Sequence, residues 1–144
     1  MLCLELRIKL KGNQYLTLVS VYAPTQTNDD CIKEQFYDDL DKVIRDVPTK
    51  NKLVIMGDFN ARVGSNSTNW KGVLGPHGVG KESLNGILLL AKCAQHQLAI
   101  TGTLFRQKDK YKATGNTRDQ NTGTSWTTFL CGKAIFRMCI PLAS

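Results

Sequence analysis

Apolar and polar residues alternate along the first positions of the chain, with Leu2, Leu4, Leu6, Ile8 and Leu10 interleaved with Cys3, Glu5, Arg7, Lys9 and Lys11. A period of two predicts a half-buried β-strand. After a turn at Gly12-Asn13, Tyr15 to Tyr22 (YLTLVSVY) predicts a second strand that closes a hairpin with the first and stops before Pro24. The period then lengthens. Ile32, Phe36, Leu40, Val43, Ile44 and Val47 fall at helical spacing between Asp29 and Val47, and Pro48 ends the segment, which predicts an amphipathic helix. Leu53 to Met56 is a continuous apolar run and predicts a third strand. Gly64 to Glu82, rich in Gly, Asn and Ser, is the longest loop. Leu84, Ile87, Leu88, Ala91, Cys93 and Ala94 predict a second helix capped by Ser83, and Leu98 to Thr101 a short strand after it. A hairpin followed by alternating helix and strand implies an α/β sandwich in which helices cover a twisted sheet. No internal repeat is visible.

Composition narrows this picture. The 144 residues, 42% of them hydrophobic, suffice for one globular domain or a large piece of one, and not for two. Nineteen Lys and Arg against 12 Asp and Glu give a formal charge of +7, which suits a polyanion such as nucleic acid and equally describes an ordinary basic protein. Five cysteines, Cys3, Cys31, Cys93, Cys131 and Cys139, are scattered, and none lies in a CxxC pair or at ligand spacing from a His. Free thiols in a reducing, intracellular compartment, nuclear or cytoplasmic, are the expectation. The alternating start lacks the unbroken apolar core of a signal peptide, and no segment is long and apolar enough to cross a membrane.

The candidate chemistry lies at the end of the third strand. In KLVIMGDFNARVG (residues 52–64) the apolar run turns polar at Gly57, Asp58 and Asn60. Residues i and i+2 of an extended segment point the same way, so Asp58 and Asn60 are expected to face the crevice at the carboxyl ends of the strands, where α/β sheets bind ligands. A carboxylate there orients or deprotonates water, and an amide donates to a phosphate oxygen, which together suit phosphodiester hydrolysis. Asp and Asn are also the residues that build turns after strands, and Tyr22 reads equally as a strand residue with a satisfied hydroxyl. His77, in a Gly-rich loop, and His96, on a helix, read as structural or solvated.

The order of SVYAPT (residues 20–25), a helix, LVIMGDFNARVG, GPHGVGKESLNG (residues 75–86) and LLLAKCAQHQLAITGTLF resembles the endonuclease/exonuclease/phosphatase family. Within it, the chain is similar to the endonuclease domains of RTE-type non-LTR retrotransposons and to the craniofacial development protein 2-like proteins related to them, over about residues 1–114. The resemblance implies part of a DNase I-like, four-layered α/β sandwich and a Mg²⁺-dependent, apurinic-endonuclease-like cut of DNA. It implies that Tyr22 contacts the scissile phosphate, that Asp58 orients or deprotonates the attacking water, and that Asn60 binds the phosphate. Asp58 and Asn60 would also be possible ligands of a second metal position. The phosphoinositide or small-molecule phosphatase branch fits the GDFN strand but not the GPHGVGKESLNG loop.

The same resemblance puts the strand with the principal Mg²⁺-binding Glu before residue 1, and finds Thr101-Gly102-Thr103 where related sequences carry an Asn. Nothing after Thr114 matches the family's closing Asp-Tyr and Asp-His motifs. Back-translated with permitted codons and read one nucleotide earlier, residues 115–133 can spell WQHPRSKHWHLLDYVLVRK, the expected continuation. Residues 115–144 are therefore read as a frame-shifted, poorly ordered tail. The expected activity of the chain by itself is nil, and the alternative role is that of a non-catalytic remnant binding nucleic acid or protein.

Overall fold

The computed structural model describes residues 4–106 and the backbone of residues 135–136. In chain order the elements are β1 (Leu4–Lys9), β2 (Tyr15–Tyr22), α1 (Asp30–Asp46), β3 (Lys52–Asp58), α2 (Leu84–Gln95), β4 (Ala99–Ile100) and β5 (Ile135–Phe136), with a 3-10 turn at Thr101–Thr103. The sheet order is β1-β2-β3-β5-β4. β1 and β2 form the antiparallel hairpin read from their alternation, and Gly12 takes the left-handed φ of +71° in its turn. α1 carries the chain over to β3, which lies parallel to β2. The mixed α/β class is as expected. The assignment of residues 115–144 to a tail lies outside the described residues, except that Ile135–Phe136 pairs with both β3 and β4.

The registers sort the strand residues onto two faces. Val19 and Val21 of β2 and Leu53 and Ile55 of β3 face the helices and join Phe36, Leu40 and Ile44 of α1 and Leu89, Leu90 and Cys93 of α2 in one buried core. The other face carries Leu4, Leu6 and Ile8 opposite Ser20, Leu18 and Leu16, continuing into Val54 and Met56. Leu4, Leu6 and Ile8 are 71%, 52% and 40% exposed, so this second face is apolar and, at β1, open.

α2 is turned differently from the expectation. Leu84, Ile87 and Leu88 are exposed, while Asn85, Gly86, Leu89, Leu90 and Cys93 are buried. The run of four apolar residues at 87–90 offers two equivalent faces, and Gly86 decides between them. A Cβ at Gly86 would lie 1.7 Å from the Arg62 carbonyl oxygen, so the helix meets the loop after β3 through its glycine. The Ser83 cap forms as predicted, its Oγ accepting from the Gly86 and Arg62 amides. The last predicted strand shortens to Ala99–Ile100, because the chain closes at once into the 3-10 turn, where the Thr103 hydroxyl donates to the Ile100 carbonyl. Among the described residues no helix is long and apolar enough to cross a membrane.

Asp41 ties the two helices together. Its carboxylate meets His96 Nε2 at 2.6 Å, Arg45 at 2.6 Å and Lys92 at 3.7 Å, and its side chain is 9% exposed. His96 is thus structural, as expected. The His96 hydrogen bond first, and then the charges of Lys92 and Arg45, hold the Asp41 carboxyl below its ordinary 3.8 against the opposing effect of burial. A depressed folded-state value stabilises above the unfolded value and is lost as pH falls through the folded one. Asp41→Asn should therefore lower the melting temperature at neutral pH, with the gap from wild type closing as pH falls below 3.8. Thermal denaturation across pH checks this, and a gap unchanged in acid would contradict it.

Candidate functional site

Tyr22 and Asp58 are register partners at the carboxyl ends of the parallel strands β2 and β3. Residues paired across a ladder project to the same face, so the side chains of Tyr22 and Asp58 leave the sheet on one face. The two strands remain coupled one residue further on, where the Ala23 amide donates to the Asp58 carbonyl at 2.8 Å. Gly57 permits this closeness. Its φ of +140° and its approach to the Val21 carbonyl, 1.9 Å from where a Cβ would sit, exclude any side chain one residue before Asp58.

The extended geometry stops at Asp58. Asn60 does not continue the i, i+2 alternation, because it takes a left-handed φ of +44° in the turn after the strand. The turn reading of GDFN is the one the structure shows. The Asn60 backbone amide donates to Asp58 Oδ1 at 3.0 Å, which is Asx-turn chemistry, and the Asn60 side-chain amide donates to the Ala23 carbonyl at 2.8 Å. Asp58 keeps Oδ2, and Asn60 keeps its Oδ1 and a second N–H, without a further hydrogen bond in the described structure. Tyr22 is 57% exposed and borders a groove of about 450 Å³ lined by Pro24, Thr25, Cys31, Ile32 and Phe36. Asp58 and Asn60 do not line that groove.

One residue missed in the sequence holds the arrangement together. Asn85, 1% exposed on the first turn of α2, donates through its side-chain amide to the carbonyls of Pro24 (3.0 Å) and Asn60 (3.1 Å), one from each site loop. Its own backbone carbonyl accepts from the Tyr37 hydroxyl at 3.0 Å, and burial raises that phenol above its ordinary range. Asn85 stands inside the GPHGVGKESLNG stretch. The available signal was an Asn within a helix, a position its side chain ordinarily disfavours.

The residues do not by themselves make a Mg²⁺ site. Mg²⁺ requires near-octahedral oxygen ligands with carboxylate help, whereas Asp58 supplies one carboxylate with one oxygen already engaged. Among the described residues no group of three His, Cys, Asp or Glu side chains gathers where it could hold a metal ion. Of the cysteines, Cys31 and Cys93 are free thiols, and burial pushes Cys93 up to about 12.

Fold and site together define a mixed α/β chain with paired polar side chains at the ends of two parallel strands. The chain is homologous to part of craniofacial development protein 2. It is 34% identical to the Bos taurus protein and 33% identical to the Tragulus javanicus protein, each over 119 residues that cover 78% of this chain and 20% of the relative. It therefore spans about a fifth of the length of the curated relatives it matches. No family model matches the chain, and no solved structure matches it.

If Asn85 fastens both site loops, Asn85→Ala should cost about 2 kcal/mol, since two part-buried carbonyls lose a donor. Asn85→Asp, which turns a carboxylate oxygen toward those carbonyls, should cost at least as much. Chemical denaturation of the two variants measures this, and a near-neutral Asn85→Asp would contradict the assignment.

Proposed function

We propose that the chain is the central part of a DNase I-like α/β sandwich and carries the phosphate-facing portion of a Mg²⁺-dependent DNA endonuclease site. The observation that carries this reading is the β2–β3 register, which sets Tyr22 beside Asp58 on one face of the strand ends, with Asn60 fastened back to β2's exit through Ala23. In this reading the Tyr22 hydroxyl and the second Asn60 N–H donate to phosphate oxygens. The unengaged Asp58 oxygen orients water, and the Asn85 clamp keeps the two loops at a fixed separation. Preorganised donors of this kind are what a charged phosphodiester needs.

Two further observations support it. The open apolar face formed by Leu4, Leu6 and Ile8 suits packing against a second sheet, as the sandwich requires. The charge is also unevenly placed. α1 holds six acidic residues against three basic ones, so with +7 overall the remainder of the chain carries a net +10, where a polyanion would be drawn.

Because one carboxylate and one amide do not make a Mg²⁺ site, the 144 residues alone bind DNA and do not hydrolyse it at a measurable rate. The test combines salt-dependent DNA binding with a supercoiled-plasmid nicking assay in Mg²⁺, each run beside Asp58→Ala. The expected result is binding that weakens steeply with salt and no nicking that depends on Asp58. No binding even at low salt would defeat the nucleic-acid reading, and nicking abolished by Asp58→Ala would defeat the inactive one.

A further inference from the structure

The dipeptide Asn-Gly occurs once in the 144 residues, at Asn85-Gly86. Its asparagine is the one that holds the Pro24 and Asn60 carbonyls, and its glycine lies against the Arg62 carbonyl. In an open chain an asparagine followed by glycine is prone to spontaneous deamidation, because glycine has no side chain to crowd its own nitrogen and its backbone turns freely. That nitrogen gives up its proton to water or hydroxide and bonds to the Asn85 side-chain carbonyl carbon. The bond from this carbon to Nδ2 breaks, ammonia leaves, and a cyclic imide remains. Water then opens one of the two C–N bonds of the imide. The product is an aspartate or, with the main chain rerouted through the side-chain carbon, an isoaspartate.

The fold opposes each step. Ring closure requires the backbone at Asn85 to leave its helical conformation, and Asn85 is the second residue of α2. The first turn of that helix is fastened, since the Gly86 amide donates to Ser83 Oγ at 3.1 Å and the Ile87 amide to the Ser83 carbonyl at 2.9 Å. The departing nitrogen, Nδ2, is held by two carbonyls at 3.0 and 3.1 Å. Asn85 Oδ1 is buried without a donor, so the negative charge that ring closure places on it would go unstabilised. At 1% exposure the residue is also shut off from the water that the second step consumes.

We propose that Asn85-Gly86 is a one-way modification site, kept intact by the closed first turn of α2 and consumed when that turn opens. This rests on the Asn85 clamp and not on the phosphodiester reading of Tyr22 and Asp58. The reaction turns the donor of the clamp into an acceptor, and a carboxylate facing the Pro24 and Asn60 carbonyls repels both. Isoaspartate adds a main-chain carbon directly before a glycine that has no room to shift, because even a Cβ there would meet the Arg62 oxygen. Local opening is reversible by itself. Deamidation makes it permanent and separates the loops that leave β2 and β3.

The test incubates the full chain at mildly alkaline pH, folded and in guanidinium chloride, and reads conversion at Asn85 by peptide mass mapping and isoaspartate by enzymatic methylation. Conversion in denaturant should be at least about tenfold faster than in the folded chain. Ser83→Ala, which removes the cap of the first turn, should speed conversion of the folded chain about fivefold and leave the rate in denaturant unchanged. Circular dichroism checks that this variant is folded during incubation, and the comparison of folded with denatured wild type needs no variant. Converted chain returned to native buffer should melt below unconverted chain carried through the same denaturant. Equal rates in the folded and denatured chain, a folded Ser83→Ala that converts no faster than wild type, or a converted chain that melts where the unconverted one does would each overturn the proposal.

Discussion

The parallel ladder between β2 and β3 is the constraint on which the rest of the structure depends. Its seven paired positions run from Leu16↔Lys52 to Tyr22↔Asp58, and a shift by one residue would turn the core-facing valines, leucine and isoleucine outward. Gly57 ties that register to one place, because only there can β3 tolerate the approach of the Val21 carbonyl. The core under α1 and α2, the second apolar face and the pairing of the two polar strand ends all follow from this alignment. A parallel pair needs a crossover, and α1 supplies it with a buried stripe that includes Phe36, Leu40 and Ile44.

Two polar devices hold the helices to that ladder at opposite places. The Asp41 cluster fixes the end of α2 to α1 through His96 and Lys92, and Asn85 fixes the beginning of α2 to the loops that leave β2 and β3. Each places a buried or nearly buried polar group where a hydrophobic one would fill space without fixing position. Asn85 makes the point with its own geometry, since its side-chain oxygen is buried without a hydrogen-bond partner while its amide serves both loops. An arrangement that leaves one group unsatisfied to secure two carbonyls is costly unless the separation of those loops matters.

Much of this was legible in the chain. Alternation gave β1, although all six of its residues are exposed where a half-buried strand was expected, the run YLTLVSVY gave β2, the helical spacing from Ile32 to Val47 gave α1, and the apolar run at Leu53 gave β3. The rotation of α2 was not legible, because four consecutive apolar residues leave the buried face undetermined until Gly86 meets the Arg62 carbonyl. Tyr22 and Asp58 were singled out by motif order, and the ladder sets them at paired positions. The orientation of Asn60 was not, because an extended reading cannot anticipate a left-handed residue one step past the strand. Asn85 went unnoticed because its role depends on two carbonyls distant in sequence, Pro24 and Asn60.

The central proposal is that Tyr22, Asp58 and Asn60 form one phosphodiester-facing surface. The most direct test is a titration of the isotopically labelled chain with a short DNA duplex, following backbone amide resonances by NMR. The account predicts that the largest shifts fall on Tyr22, Ala23, Asp58 and Asn60 and fade as salt is raised, with the acidic outer face of α1 unaffected. Shifts confined to residues remote from these strand ends, or centred on α1, would contradict it.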